Sequence, residues 1–186
     1  MAGKPDIGSG WRGSRWRIAV WCAAAFLLLL PLIAMQVTAE VNWDETDFIV
    51  FGSMLAIACG LYELAARATG SSAYRAAVGI ATAAAFVLVW MNLAVGIIGS
   101  EDNPLNLMYV GVLAVGIAGA AIARFQPYGM AVTMVAVALA QILVAVIAQV
   151  AGHFTWVLTA GFVALWLGSA LLFRKAAREQ TAASLL

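Results

Sequence analysis

Residues 130–173 read MAVTMVAVALAQILVAVIAQV, then AGH, then FTWVLTAGFVALWLGSALLF, without one Asp, Glu, Lys or Arg. A helix needs about 20 mostly apolar residues to cross the hydrocarbon core of a bilayer. Each run, 130–150 and 154–173, meets that length, and the three residues between them suffice only for a tight turn. Working outward, 18–37, 48–66, 76–98 and 107–123 qualify on the same ground. The remaining connectors are short, so no loop folds alone. The spacing predicts an all-α integral membrane protein. It is a six-helix transmembrane bundle of three hairpins spanning 18–173, with a short N-terminal segment, 1–17, and a C-terminal tail, 174–186.

Composition agrees. The chain has 186 residues, 65% hydrophobic and 10% charged, with a mean hydropathy of +0.98. Soluble domains run to about 45–50% apolar and about 25% charged, so too little polar surface exists here to coat a globule in water. A net charge of +1 excludes a strongly basic nucleic-acid binder. Cys22 and Cys59 both fall in apolar runs without CxxC spacing, which reads as two inert buried thiols.

The charges are distributed by side. Alternating the connectors across a membrane puts Lys4, Arg12, Arg15, Arg17, Arg67, Arg75, Arg124, Arg174, Lys175 and Arg178 on one face, and these are all ten basic residues. The positive-inside rule makes that face cytoplasmic, with both termini on it. Glu40, Asp44, Glu45, Asp47, Glu101 and Asp102 then lie on the extracytoplasmic face. A competing reading takes Arg12–Arg17, the following apolar run and Val37-Thr38-Ala39 as a cleaved signal peptide. An apolar run long enough to cross the bilayer argues against it, since signal cores are shorter.

The first hairpin overlays the second with a period of about 59 residues. Arg17 matches Arg75, Ala23–Phe26 matches Ala83–Phe86, Asp47 matches Asn106, Gly52 matches Gly111 and Gly60 matches Gly119. Helices in lipid associate through small residues that permit close approach. Gly52, Gly60, Gly111, Gly119 and Gly168 are therefore the expected packing positions, and the even-numbered helices the expected centre. Trp90 and Trp166 read as lipid-facing or interfacial, and Trp11, Trp16 and Trp43 as members of the headgroup belts.

Polar candidates are few. Asp44, Glu45, Asp47, Glu101 and Asp102 form an acidic rim that could dock a partner or attract cations. Asp47 or Thr46, and Asn103-Pro104, also read as helix N-caps. Asn92 lies inside the third span, where an amide needs a partner across a helix interface, and Gln36, Gln141 and Gln149 are the candidates to supply it. With Gln36, Asn106 and Gln149 it defines an expected intramembrane polar pocket near the outer leaflet. Glu63 approaches the cytoplasmic boundary one turn before Arg67. His153, the sole histidine, sits in the last turn. No GxSxG, HExxH or Walker-type loop is present. No catalytic, cofactor-binding or metal-ligating residue is assigned, and no cofactor is expected.

The strings Asn42-Trp43, Asp47-Phe48 and NLAVGIIGSEDNP at 92–104 resemble those of a group of small, uncharacterised proteobacterial inner-membrane proteins. The resemblance spans most of the chain. It implies a bacterial inner-membrane placement and carries no activity or site residue with it. Two functions are expected. One is a non-catalytic accessory or scaffold subunit or small homo-oligomer, whose partners are the lipid bilayer and another membrane protein or a second copy. The other is a small permease or channel for a neutral or cationic solute, with Asn92 in the path.

Overall fold

Six stretches are helical in the computed structural model, which describes residues 8–185 and side chains from Ile18 on. They are α1 (Gly8–Val37), α2 (Glu45–Ala68), α3 (Ser72–Ala94), α4 (Met108–Ile122), α5 (Pro127–Val150) and α6 (Trp156–Ala183), with a 3-10 turn at Pro104–Leu107. No strand occurs among the described residues. Six helical segments are long and apolar enough to cross a membrane, the fourth being α4 together with the 3-10 turn, Pro104–Ile122. Lys4 and the side chains of Trp11, Arg12, Arg15, Trp16 and Arg17 lie outside the described residues.

Helix ends depart from the hydropathy windows for local reasons. At the start of α2, Asp44 and Asp47 cap reciprocally: the Asp47 amide donates to Asp44 Oδ1 and the Asp44 amide to Asp47 Oδ2, both at 3.0 Å. This capping box makes Asp44 the N-cap, correcting the expectation of Asp47 or Thr46, and starts the helix three residues before Phe48. Trp43, just outside the cap, packs its ring against Phe48 and Phe51 with centroids 5.3 Å apart in both cases. The Trp43–Phe48 contact is the hydrophobic staple that accompanies such a box. Ser71 caps α3 by accepting the Tyr74 amide at 3.2 Å. That helix stops at Ala94 and not at 98, because Gly96 and Gly99 turn the chain with φ of +67° and +74°. α6 runs on past Phe173 to Ala183. The stretch RKAAREQTAA is rich in helix formers, although no apolar window extends over it.

The chain divides into two compact units, one up to Glu63 and one from Leu64. In the first, Gly52 meets Leu28 at ordinary contact distance, 3.7 Å for an added Cβ. In the second, α5 and α6 make the most extensive contact, α3 packs on α6, and α4 packs on α5. Consecutive α3 and α4 touch each other little. The centre of this unit is thus the α5–α6 pair and not the even-numbered helices. Shape explains it. Ala77, Ala84, Ala145 and Ala148 are fully buried, so small side chains let the backbones close, and Ser169 of α6 donates to the Ala77 carbonyl of α3 at 2.9 Å.

Five residues correct the sequence reading. Trp166 is only 2% exposed and belongs to the core beside Phe162 and Phe173. Cys22 is exposed, while Cys59 is buried as expected, and both are free thiols. Among the anticipated packing glycines, Gly119 alone is tight. A Cβ there would stand 2.5 Å from Thr133 Cγ2 across the α4–α5 interface, whereas Gly60, Gly111 and Gly168 have nothing within 4 Å of such an atom. The glycines paired by the 59-residue period, Gly52 with Gly111 and Gly60 with Gly119, therefore occupy different environments.

Candidate functional site

The polar residues converge where α3 gives way to α4. After Ala94 the chain must reverse, and the reversal is wound about one side chain. The amides of Ile97 and Ile98 donate to Asn106 Oδ1 at 3.1 and 2.8 Å, and Asn106 Nδ2 donates to the carbonyls of Ile98 and Ser100 at 3.4 and 2.7 Å. Asn106 is itself buried, and three of these four hydrogen bonds are buried, the one to Ser100 being part-buried. Asn103 caps the 3-10 turn by accepting the Leu105 amide at 3.0 Å, with Pro104 at the first position of that turn, as the sequence predicts. Asn103 Nδ2 also lies 3.4 Å from His153 Nε2. The turn between α5 and α6 is thereby brought onto this loop. A Cβ at Gly99 would sit 3.0 Å from Asn103 Nδ2 and 3.2 Å from His153 Cε1.

Beneath the loop a cleft of about 450 Å³ opens between α3 and α4. Its walls include Leu88, Leu93, Val110 and Leu113, and its polar lining includes Asn92, Asn106, Glu101 and Asp102. Asn92 and Asn106 thus line one cleft. Gln149 is not among the residues lining it, and its Oε1 accepts the Trp156 indole N–H at 3.1 Å. Gln36 is exposed on α1, in the other unit. Asn92 does not bond across helices: its Nδ2 donates to the Leu88 carbonyl of its own helix at 3.0 Å. Its Oδ1 is buried without a partner.

The acidic residues are exposed in both loops. Asp44 and Asp47 spend oxygens on the α2 cap, and Glu101 and Asp102 line the mouth of the cleft. Among the described residues no three His, Cys, Asp or Glu side chains gather closely enough to hold a metal ion.

A set of buried polar groups that sequence reading did not bring together lies across α4, α5 and α6, and Tyr109 among them also lines the cleft. Tyr109, Gln141, Thr155, Thr159 and Trp166 are each at most 3% exposed, and each keeps a side-chain polar atom without a hydrogen-bond partner. The Tyr109 hydroxyl approaches Thr155, yet neither oxygen completes a bond of good geometry. Along α6, Thr155 to Trp166 covers about 16 Å at about 1.5 Å per residue. Buried polar groups are ordinarily satisfied, so this concentration across α4, α5 and α6 is unusual. Threonines, a glutamine and a tryptophan scattered through apolar runs give no sequence signal that they face one interior.

The other end of the unit gathers two connectors and the C-terminal extension of α6. The Tyr74 hydroxyl donates to the Phe125 carbonyl at 2.8 Å, and the Ser71 hydroxyl donates to Glu179 at 3.1 Å. Arg124 and Phe125 both take left-handed φ, +49° and +58°. Arg124 closes α4 in the position where Gly152 closes α5 in the same pattern of terminal hydrogen bonds. Comparison of the chain with protein-family models, with curated proteins and with solved structures gives no match.

Proposed function

We propose that the chain is a non-catalytic, multi-pass protein of the bacterial inner membrane. Its basic end and both termini face the cytoplasm, and it acts as an accessory or scaffold subunit or as a small homo-oligomer. Sidedness is supported by the segregation of charge: the start of α3, which holds Arg75, bonds to the connector after Arg124, and Ser71 just before it bonds to the extension of α6, while Glu101 and Asp102 lie on the loop beside His153. The observation that carries the reading is the uncovered small-residue face of α4 and of α6. Gly111, Ala114 and Ala118 are exposed on α4, as are Ala160, Gly161 and Ala164 on α6. An added Cβ meets nothing within 4 Å at Gly111, Gly161 or Gly168. In lipid such faces gain by pairing with another helix, because backbones can approach closely. Exposed carboxylates, Asp44, Glu45 and Asp47 in the first unit and Glu101 and Asp102 in the second, supply acidic docking surfaces outside the bilayer.

Purification in mild detergent at native abundance is expected to retrieve a partner or an oligomer, and Gly111→Leu with Gly168→Leu is expected to release it while leaving the fold intact. A monodisperse, partnerless wild-type monomer would refute the reading. The buried unpartnered atoms of Tyr109, Gln141, Thr155, Thr159 and Trp166 favour a second reading, a permease or channel for a neutral or cationic solute. On that reading, solute flux into proteoliposomes is expected to vanish in Gln141→Leu and Asn92→Leu. Equal flux in both variants removes these groups from any path.

A further inference from the structure

The cleft between α3 and α4 exists because neither helix packs on the other. α3 is committed to α6 and α4 to α5, which leaves a wedge of about 450 Å³, within the size range of small-molecule sites. Its walls are apolar, and Leu93 and Val110 are 59% and 61% exposed, so the wedge opens sideways. Its charge is biased one way. Glu101 and Asp102 offer carboxylates at the mouth and no basic side chain lines the cleft, while Asn92 Oδ1 and the Tyr109 hydroxyl are buried and unpaired. Negative charge with no basic counterpart selects a ligand head that carries positive charge. The loop that presents them is held in advance by the four hydrogen bonds of Asn106, so little ordering remains to oppose binding.

We propose that this cleft is a lateral binding site for an amphiphile with a protonated amine head and an alkyl tail. The head lies against Glu101 and Asp102, and the tail lies between Leu88, Leu93, Val110 and Leu113. The site rests on the geometry of α3 and α4 and not on the scaffold reading, so oligomer formation neither supports nor opposes it.

The test uses the full chain in a neutral maltoside detergent and a long-chain alkylamine bearing a photoreactive diazirine in its tail, with labelled positions mapped by mass spectrometry. Label is expected on the cleft walls, competed by dodecylamine but not by dodecyl sulfate or by ethylamine. The first control separates the amine head from any anionic amphiphile, and the second separates an amphiphile from a soluble ammonium ion. Val110→Trp, which fills the wedge from an exposed position, is expected to abolish the label. The double change Glu101→Gln with Asp102→Asn is expected to lower it about three- to tenfold, the size of two exposed charge contacts. Label spread evenly over all helices, equal competition by dodecyl sulfate or by ethylamine, or unchanged labelling of either variant would overturn the proposal. The competition series on the unaltered protein decides the matter even if a variant misfolds.

Discussion

Asn106 satisfies two amides and two carbonyls that α3 leaves behind as it ends. Asn106→Leu keeps much of the volume but strands those groups in a buried site. Each buried unsatisfied group costs about 1–3 kcal/mol. Allowing for relaxation of the loop, a loss of about 2–4 kcal/mol is expected, read as a lower thermal midpoint in detergent. An unchanged midpoint would mean that the loop is held by something else. Gly96 belongs to the same turn, since a Cβ there would collide with the Ser100 carbonyl and the Glu101 amide. The sequence string NLAVGIIGSEDNP is thus a local folding instruction, two glycines with positive φ and two asparagines that bind backbone. Asn106 was legible as a polar residue at a membrane boundary. Its role as the post of a turn was not, because that depends on residues up to nine positions away.

At helix ends the deciding signals are local. The Asp44 and Asp47 box, the Trp43 staple and Asn103-Pro104 all act within a few residues. Glycines inside helices behave differently, since their meaning depends on what lies opposite. Gly119→Ala forces a methyl against Thr133 and is expected to destabilise by about 1–3 kcal/mol, the range for overpacking. Gly111→Ala faces open space and is expected to be neutral or to stabilise by up to about 1 kcal/mol through helix propensity. Equal melting shifts for the two would show that the α4–α5 contact is not as close as described. Both lie in one apolar run at four-residue multiples, so hydropathy and spacing could not tell them apart.

For the whole chain, charge and hydropathy lead to a topology that reporter fusions can read. Fusions after Arg75 and after Arg124 are expected to report cytoplasm, and fusions at Asp102 and at Gly152 the opposite side. A reporter found outside the cell membrane at Arg75 would reverse the sidedness and remove the acidic docking surfaces from the proposed function. The segregation of these connectors to two ends of the unit from Leu64 onward follows from helix count and loop length. Its closure through Tyr74, Phe125, Ser71 and Glu179 required knowing that α6 extends to Ala183.

Six runs of crossing length, their short connectors and the bias of charge were all present in the linear chain. Bilayer-crossing length and charge near a boundary are sums over neighbouring residues. Which helix lies against which could not be summed in that way. In a chain apolar on nearly every side, lipid and protein offer similar surroundings to a leucine, so hydrophobicity ceases to distinguish inside from outside. Close fit between distant small and large side chains then sets the arrangement: Ser169 against Ala77, Gly119 against Thr133, Trp166 turned inward.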